Sequence, residues 1–225
     1  MWNRIKRWFG AHDKSGDAPT GGNQYEFRWY DPSQENPFPI RILDVRSLTW
    51  NVVATTGDVK IAESFNAQRH SDGRDLCETV IDNATTIECH LVFPHNGDSL
   101  EGIVFKADSM DVKWDIYIYD SVFLFVRSWK GQLQYRAFAN VGSDKIIIHK
   151  IETSVGNVET AAQAVYFLVA THAMGRVLPH TIPRDTPNDA QQIALLSFSM
   201  YGNRGCYATY EDITAIPLPK PTGGT

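Results

Sequence analysis

Cysteine is scarce, long apolar runs are missing, and neither sign of charge dominates. The 225 residues include three cysteines, Cys77, Cys89 and Cys206. An odd number with no short spacing excludes a disulfide framework and fits reduced thiols in a cytoplasmic protein. No stretch approaches the roughly 18 apolar residues of a membrane span. The first ten residues are too short and too charged to hold the apolar core of a signal peptide. The chain is therefore expected in the cytoplasm, without stable membrane insertion. The formal net charge is −5, from 21 basic and 26 acidic residues. Nucleic-acid binders usually carry a basic excess, so nucleic acid is not an expected partner. Glycine-rich phosphate loops are also absent, and no cofactor is expected.

Hydrophobic residues make up 43% of the chain and charged residues 21%, as in an ordinary globular protein. A domain is expected over residues 25–216. Ahead of it, Trp2, Ile5, Trp8 and Phe9 alternate with Arg4, Lys6 and Arg7. That cationic, aromatic pattern suits weak docking on a membrane surface. Residues 10–24, with Gly10, Gly16, Pro19, Gly21 and Gly22, read as a linker. The prolines of 217–225 read as a disordered tail.

Within the domain, 36–43 reads as a short edge segment because prolines cannot donate to a ladder. Thr55 and Asp58 have capping-box spacing and predict a helix over 55–68. Six strand signals follow, over 86–93, 102–107, 111–119, 122–129, 133–141 and 145–153. The alternation is cleanest in 111–119. There Val112, Trp114, Ile116 and Ile118 turn inward, and Asp111, Lys113, Asp115, Tyr117 and Tyr119 turn outward. Short turns make successive strands antiparallel neighbours. Apolar residues then recur at three to four over 157–176, and a second helix is expected over 189–200. The predicted fold class is α+β: a single antiparallel meander sheet of about six strands, with helices packed on one face.

Residues that could carry chemistry are few. Cys89 and His90 are adjacent on a strand and point to opposite faces, so they cannot share a metal. Asp111 and Asp115 lie about 13 Å apart by strand rise, too far for a glycosidase pair. Ser197 lacks a nucleophile elbow. An enzyme of hydrolase type would have to assemble His172, His180, Arg204 and Cys206 with the 197–206 segment. The stronger feature is a hairpin that brings Arg127, Trp129, Tyr135 and Arg136 together beside Tyr117 and Tyr119. Trp, Tyr and Arg dominate binding hot spots. These six residues predict a partner-binding face. Structurally they could instead cap the sheet, with Arg127 paired to Asp115 or Asp111.

The run Arg127-Ser-Trp-Lys-Gly131, extending through Trp114-Asp-Ile-Tyr-Ile-Tyr119, resembles the Arg-Ser-Trp-Thr-Gly hairpin of uncharacterised bacterial proteins. Some of these are similar to immunity proteins of polymorphic toxin systems. Lys130 stands where that pattern has Thr. The resemblance implies a non-catalytic protein, of immunity or regulatory type, that masks a protein partner. An acidic domain would steer a basic toxin fastest.

Overall fold

The computed structural model describes residues 25–156, 158–216 and 218. The expected amphipathic segment and linker over 1–24, and the tail over 217–225 apart from Leu218, lie outside the described residues.

The core is the expected meander. Strands β3 (Thr85–Pro94), β4 (Gly102–Phe105), β5 (Trp114–Tyr119), β6 (Val122–Arg127), β7 (Gln132–Val141) and β8 (Lys145–Thr153) form one antiparallel sheet. Their order is β3-β8-β7-β6-β5-β4. Strands β4 to β8 follow one another as the short turns require. Strand β3 instead pairs with β8, so β3 and β4 occupy opposite edges rather than forming a hairpin. Their connection crosses the end of the sheet, where the His95 amide donates to the Asp144 carbonyl at 2.8 Å.

One face of the sheet is apolar. Trp114, Ile116, Ile118, Phe123, Phe125, Tyr135 and Ile148 are buried there with Val165, Phe167 and Leu168 of helix α3 (Val158–Leu168). The apolar repeat of α3 continues into a π-helical turn, Val169–Ala173, where the Met174 amide reaches the Val169 carbonyl at 3.0 Å.

The opposite face corrects the expectation of an open polar side. Of the five residues predicted to point into solvent, Asp111 is half-buried, and Lys113, Asp115, Tyr117 and Tyr119 are at most 5% exposed. Residues 71–84, irregular apart from a 3₁₀ turn at Arg74–Leu76, roof Tyr117 and Tyr119, while Lys113 is covered by Trp129 and Phe198. Leu76, Cys77 and Ile81 pack on Tyr117, Tyr119, Leu124 and Val126. The Tyr119 hydroxyl donates to the Asp72 carbonyl at 2.8 Å, and Arg74 lies over the Tyr119 ring. Asp115 is not a solvated carboxylate. It accepts from the Ala107 amide at 2.8 Å and from Lys106 at 3.2 Å, and Lys106 also bonds the Tyr117 hydroxyl. Burial raises the Asp115 pKa above the usual carboxylate range, with Lys106 opposing.

Helix α2 (Val59–His70) begins four residues later than the start expected at Thr55, because Asp58 is itself the N-cap and accepts from the Lys60 amide at 2.9 Å. Its Phe65 packs beside Ala107 and Val112.

A second sheet corrects the single-sheet expectation. Strands β1 (Arg28–Tyr30), β2 (Ile42–Asp44), β9 (Pro179–Thr181) and β10 (Tyr207–Thr209) run in the order β1-β2-β10-β9. Only the β10–β9 pair is parallel. Strand β2, expected at an edge, lies inside. Helix α4 (Ala190–Tyr201) covers one face of this sheet, with Ile193, Ala194 and Phe198 against Leu43 and Ala208. Its N-cap is Asp189, and a short helix α1 (Arg46–Thr49) packs beside it.

Gly73 makes the roof testable. Its φ is +77°, and a Cβ there would stand 2.5 Å from Cγ of Tyr117. Gly73→Ala is expected to cost about 3 kcal/mol in urea unfolding, through backbone strain and overpacking together. A loss under about 0.5 kcal/mol, the scale of a surface substitution, would mean that the roof does not seat on the sheet.

Candidate functional site

The six residues of the predicted binding face do not share one surface. Tyr117 and Tyr119 are under the roof, 0% and 5% exposed. Arg127 and Tyr135 project from the other face. There the Arg127 guanidinium lies over the Trp114 ring and donates to the carbonyls of Ser199 and Met200, each at 2.9 Å. It therefore caps the C-terminus of α4. It does not pair with Asp115, which lies on the opposite face of β5. Burial lowers its pKa to about 10. Trp129, half-buried, donates its indole N–H to the Met110 carbonyl at 2.8 Å. Lys113 is stacked between the Trp129 and Phe198 rings, and burial lowers its pKa to about 7. Arg136 is half-buried beside the roof, where its Nη2 donates to the Cys77 carbonyl at 3.5 Å. It lies over the half-buried Phe138 with Lys150, and it pairs with Glu152 at 3.7 Å.

The residues of the hydrolase alternative are sealed rather than gathered at a cavity. His180 and Ser197 are both 0% exposed, with Nε2 and Oγ 2.8 Å apart. The Ser197 hydroxyl lies 2.7 Å from the Ile193 carbonyl of its own helix and donates to it. His172 sits in the π turn with Nδ1 2.8 Å from the Thr171 hydroxyl, and its Nε2 is buried without a partner. His172 and His180 both meet the edge or face of Phe167. Arg204 stands over Phe105 and near His172, while Cys206 lies toward Arg46. Burial raises the Cys206 thiol pKa despite the two arginines, so the thiol is not activated.

The accessible site lies elsewhere, on the face of the second sheet away from α4. The register sets Arg28 opposite Asp44 and Asp44 opposite Tyr207. Period-two alternation therefore puts Arg28, Asp44 and Tyr207 in one row on the face opposite Trp29, Leu43 and Ala208. Tyr30 and Ile42 form the next row. Above this floor is a cleft of about 1100 Å³, walled by Pro37, Phe38, Pro39, Val177, Leu178 and Ile216.

One buried side chain shapes the wall. Asn36 is 1% exposed and donates to the carbonyls of Tyr30 and Ile40, at 3.1 and 2.8 Å. Its Oδ1 accepts from the Phe38 amide at 3.0 Å. These bonds fold residues 31–40 into a hoop that presents Phe38 to Tyr207, ring centroids 6.0 Å apart.

The floor is cationic and aromatic. Arg46, at the start of α1, bonds Asp44 through Nε at 2.9 Å and Nη2 at 2.5 Å. Its guanidinium lies over the rings of Tyr207 and Trp50, at 4.9 and 5.2 Å. The Asp44 hydrogen bond raises its pKa well above the ordinary arginine value. Arg28 stacks over Tyr30 at 4.8 Å. It makes no ion pair among the described residues. The strands that supply these groups are three residues long, too short for a periodicity signal. The hint present in the sequence was aromatic-plus-arginine spacing in Arg28-Trp-Tyr30.

No protein-family model, curated protein or solved structure matches this chain. No helix among the described residues is long and apolar enough to cross a membrane.

The sealed histidines predict an acid limb in stability. Burial pushes the pKa of His180 down to about 4 and that of His172 down to about 3, from an ordinary 6.5. Below pH 6.5 the unfolded chain takes up protons that the native state refuses, so stability falls as pH drops from 6.5 toward 4. Urea midpoints should decline between pH 7 and pH 5, and less steeply in His180→Gln. An identical decline in that variant would contradict the assignment.

Proposed function

We propose that this chain is a non-catalytic binding protein that captures a segment of a protein partner in the cleft over β1, β2 and β10. The observation that carries the reading is the pair of guanidinium groups laid over tyrosine rings on the floor of an apolar-walled cleft. Concave, largely apolar sites with a few fixed polar groups are the usual place for recognition. Stacked arginine and tyrosine offer large contact area with little side-chain freedom left to lose. A volume near 1100 Å³ accommodates a few residues of a partner chain rather than one small metabolite. The sealing of Ser197, His180 and His172 supports binding over hydrolysis, since a substrate has no route to them. A masking role, of the immunity or regulatory type implied by the Arg127–Gly131 hairpin, fits a protein that works by occupying a partner.

The test is selection of a displayed random-peptide library on the folded protein. Enriched peptides should lose at least about tenfold in affinity when Tyr207→Ala or Phe38→Ala removes a ring, the scale of a hot-spot residue. Circular dichroism should show the fold retained. Peptides that bind both variants as well as they bind the parent would place recognition away from the cleft.

A further inference from the structure

The chemistry of the captured segment follows from how the two floor arginines are used, and this inference rests on the cleft being the binding site. Asp44 engages Nε and Nη2 of Arg46. The Nη1 edge makes no hydrogen bond among the described residues. The bidentate grip and the two rings beneath fix that guanidinium in place, so it presents a free donor edge already oriented. Arg28 stands directly across Asp44 in the register and stacks on Tyr30. Among the described residues its guanidinium has neither an ion pair nor a hydrogen bond. Asp44 is neutralised by Arg46 and cannot serve Arg28 as well as a dedicated partner would. The remaining acid of the cleft, Glu35, is exposed on the hoop at the rim. The floor therefore carries uncompensated positive charge between apolar walls.

We propose that the cleft selects an acidic, apolar peptide segment: an aspartate or glutamate carboxylate set against Arg28 and the free edge of Arg46, with flanking aliphatic or aromatic side chains against the accessible wall residues Pro37, Phe38 and Val177. Arginine is suited to this because its planar donors match a carboxylate and because stacking leaves those donors free. A lysine at the same place would meet the like charges of Arg28 and Arg46 and be disfavoured. The local charge of the floor, not the chain's net −5, sets this preference, since charge beyond a Debye length is largely screened at physiological salt. The partner's contacting segment is acidic even if the partner as a whole is basic.

Three dye-labelled nonapeptides with one apolar frame and a central Glu, Gln or Lys decide the matter by fluorescence anisotropy. The Glu peptide should bind about tenfold more tightly than the Gln peptide. The Lys peptide should bind more weakly than both. Rising salt should narrow the gap. Arg28→Ala should bring the Glu peptide to within about twofold of the Gln peptide while leaving the Gln peptide nearly unchanged. Equal binding of Glu and Gln peptides, tighter binding of the Lys peptide, or a Glu preference that survives Arg28→Ala would overturn the proposal. If Tyr207→Ala then still weakens all three peptides, the cleft reading stands and only its charge preference fails. If Tyr207→Ala weakens none, or if no peptide binds at millimolar concentration, the cleft reading falls too.

Discussion

The C-terminus of helix α4 is the joint on which the rest of the molecule depends. Four carbonyls at a helix end have no partner within the helix. Here the meander sheet supplies partners: Arg127 donates to Ser199 and Met200, and the Trp114 indole donates to Met200 at 2.6 Å. Both side chains come from opposed positions of β5 and β6. The joint therefore converts a sheet register into a helix position. Helix α4 in turn covers one face of the second sheet, and the other face of that sheet is the floor of the cleft. Just past the joint, a Cβ on Gly202 would meet the Asp111 carbonyl, with φ at +63°. The chain passes so close to the turn leading into β5 there that only glycine fits. The Asn203 amide donates to the same carbonyl at 3.3 Å.

Two desolvated cations hold this arrangement together. Arg127 and Lys113 are both depressed in pKa by burial, and the like charge of Arg127 lowers Lys113 further. Their direct contacts are aromatic faces and carbonyl oxygens, and Asp111 adds a through-space attraction for Lys113. Lys113 donates to the Met110 carbonyl at 2.7 Å between two rings. Buried cations of this kind are costly alone and tolerable only with every donor directed at an oxygen or a π face. The same device recurs in the open at the cleft, where Arg28 and Arg46 lie over tyrosines but keep donors free. Stacking without full hydrogen bonding is structural in the interior and available for recognition at the surface.

The meander was legible in the sequence because its signals are local. Trp114, Ile116 and Ile118 alternate, and the turn at Asp120-Ser121 is only two residues long, both with positive φ as a tight hairpin requires. The helix expected over 189–200 is α4, with Asp189 as its N-cap. The second sheet was not legible. It joins residues near 29, 43, 180 and 208 in three-residue strands; β1 and β2 are near in sequence, but β10, which pairs with both β2 and β9, is far from each along the chain. The roof was missed for a different reason. Period two sorts side chains into two faces but does not say that the second face is wet. Tyr117 and Tyr119 look like surface residues until an irregular segment, 71–84, covers them. The Ser71-Asp-Gly73 turn carried the one available clue, a glycine placed for close approach. The expected binding face is divided by the same alternation: Tyr117 and Tyr119 lie under the roof, Arg127 and Tyr135 on the other face, and the cleft is built from residues that no motif singled out.

The joint can be tested directly by amide hydrogen exchange on Arg127→Met, compared with the parent at one pH and temperature. If Arg127 holds α4 to the meander, the amides of α4 and of β9 and β10 should exchange about thirtyfold faster, matching a loss near 2 kcal/mol, while β5 to β8 keep most of their protection. Unchanged protection across α4, or a uniform loss across both sheets, would contradict the account.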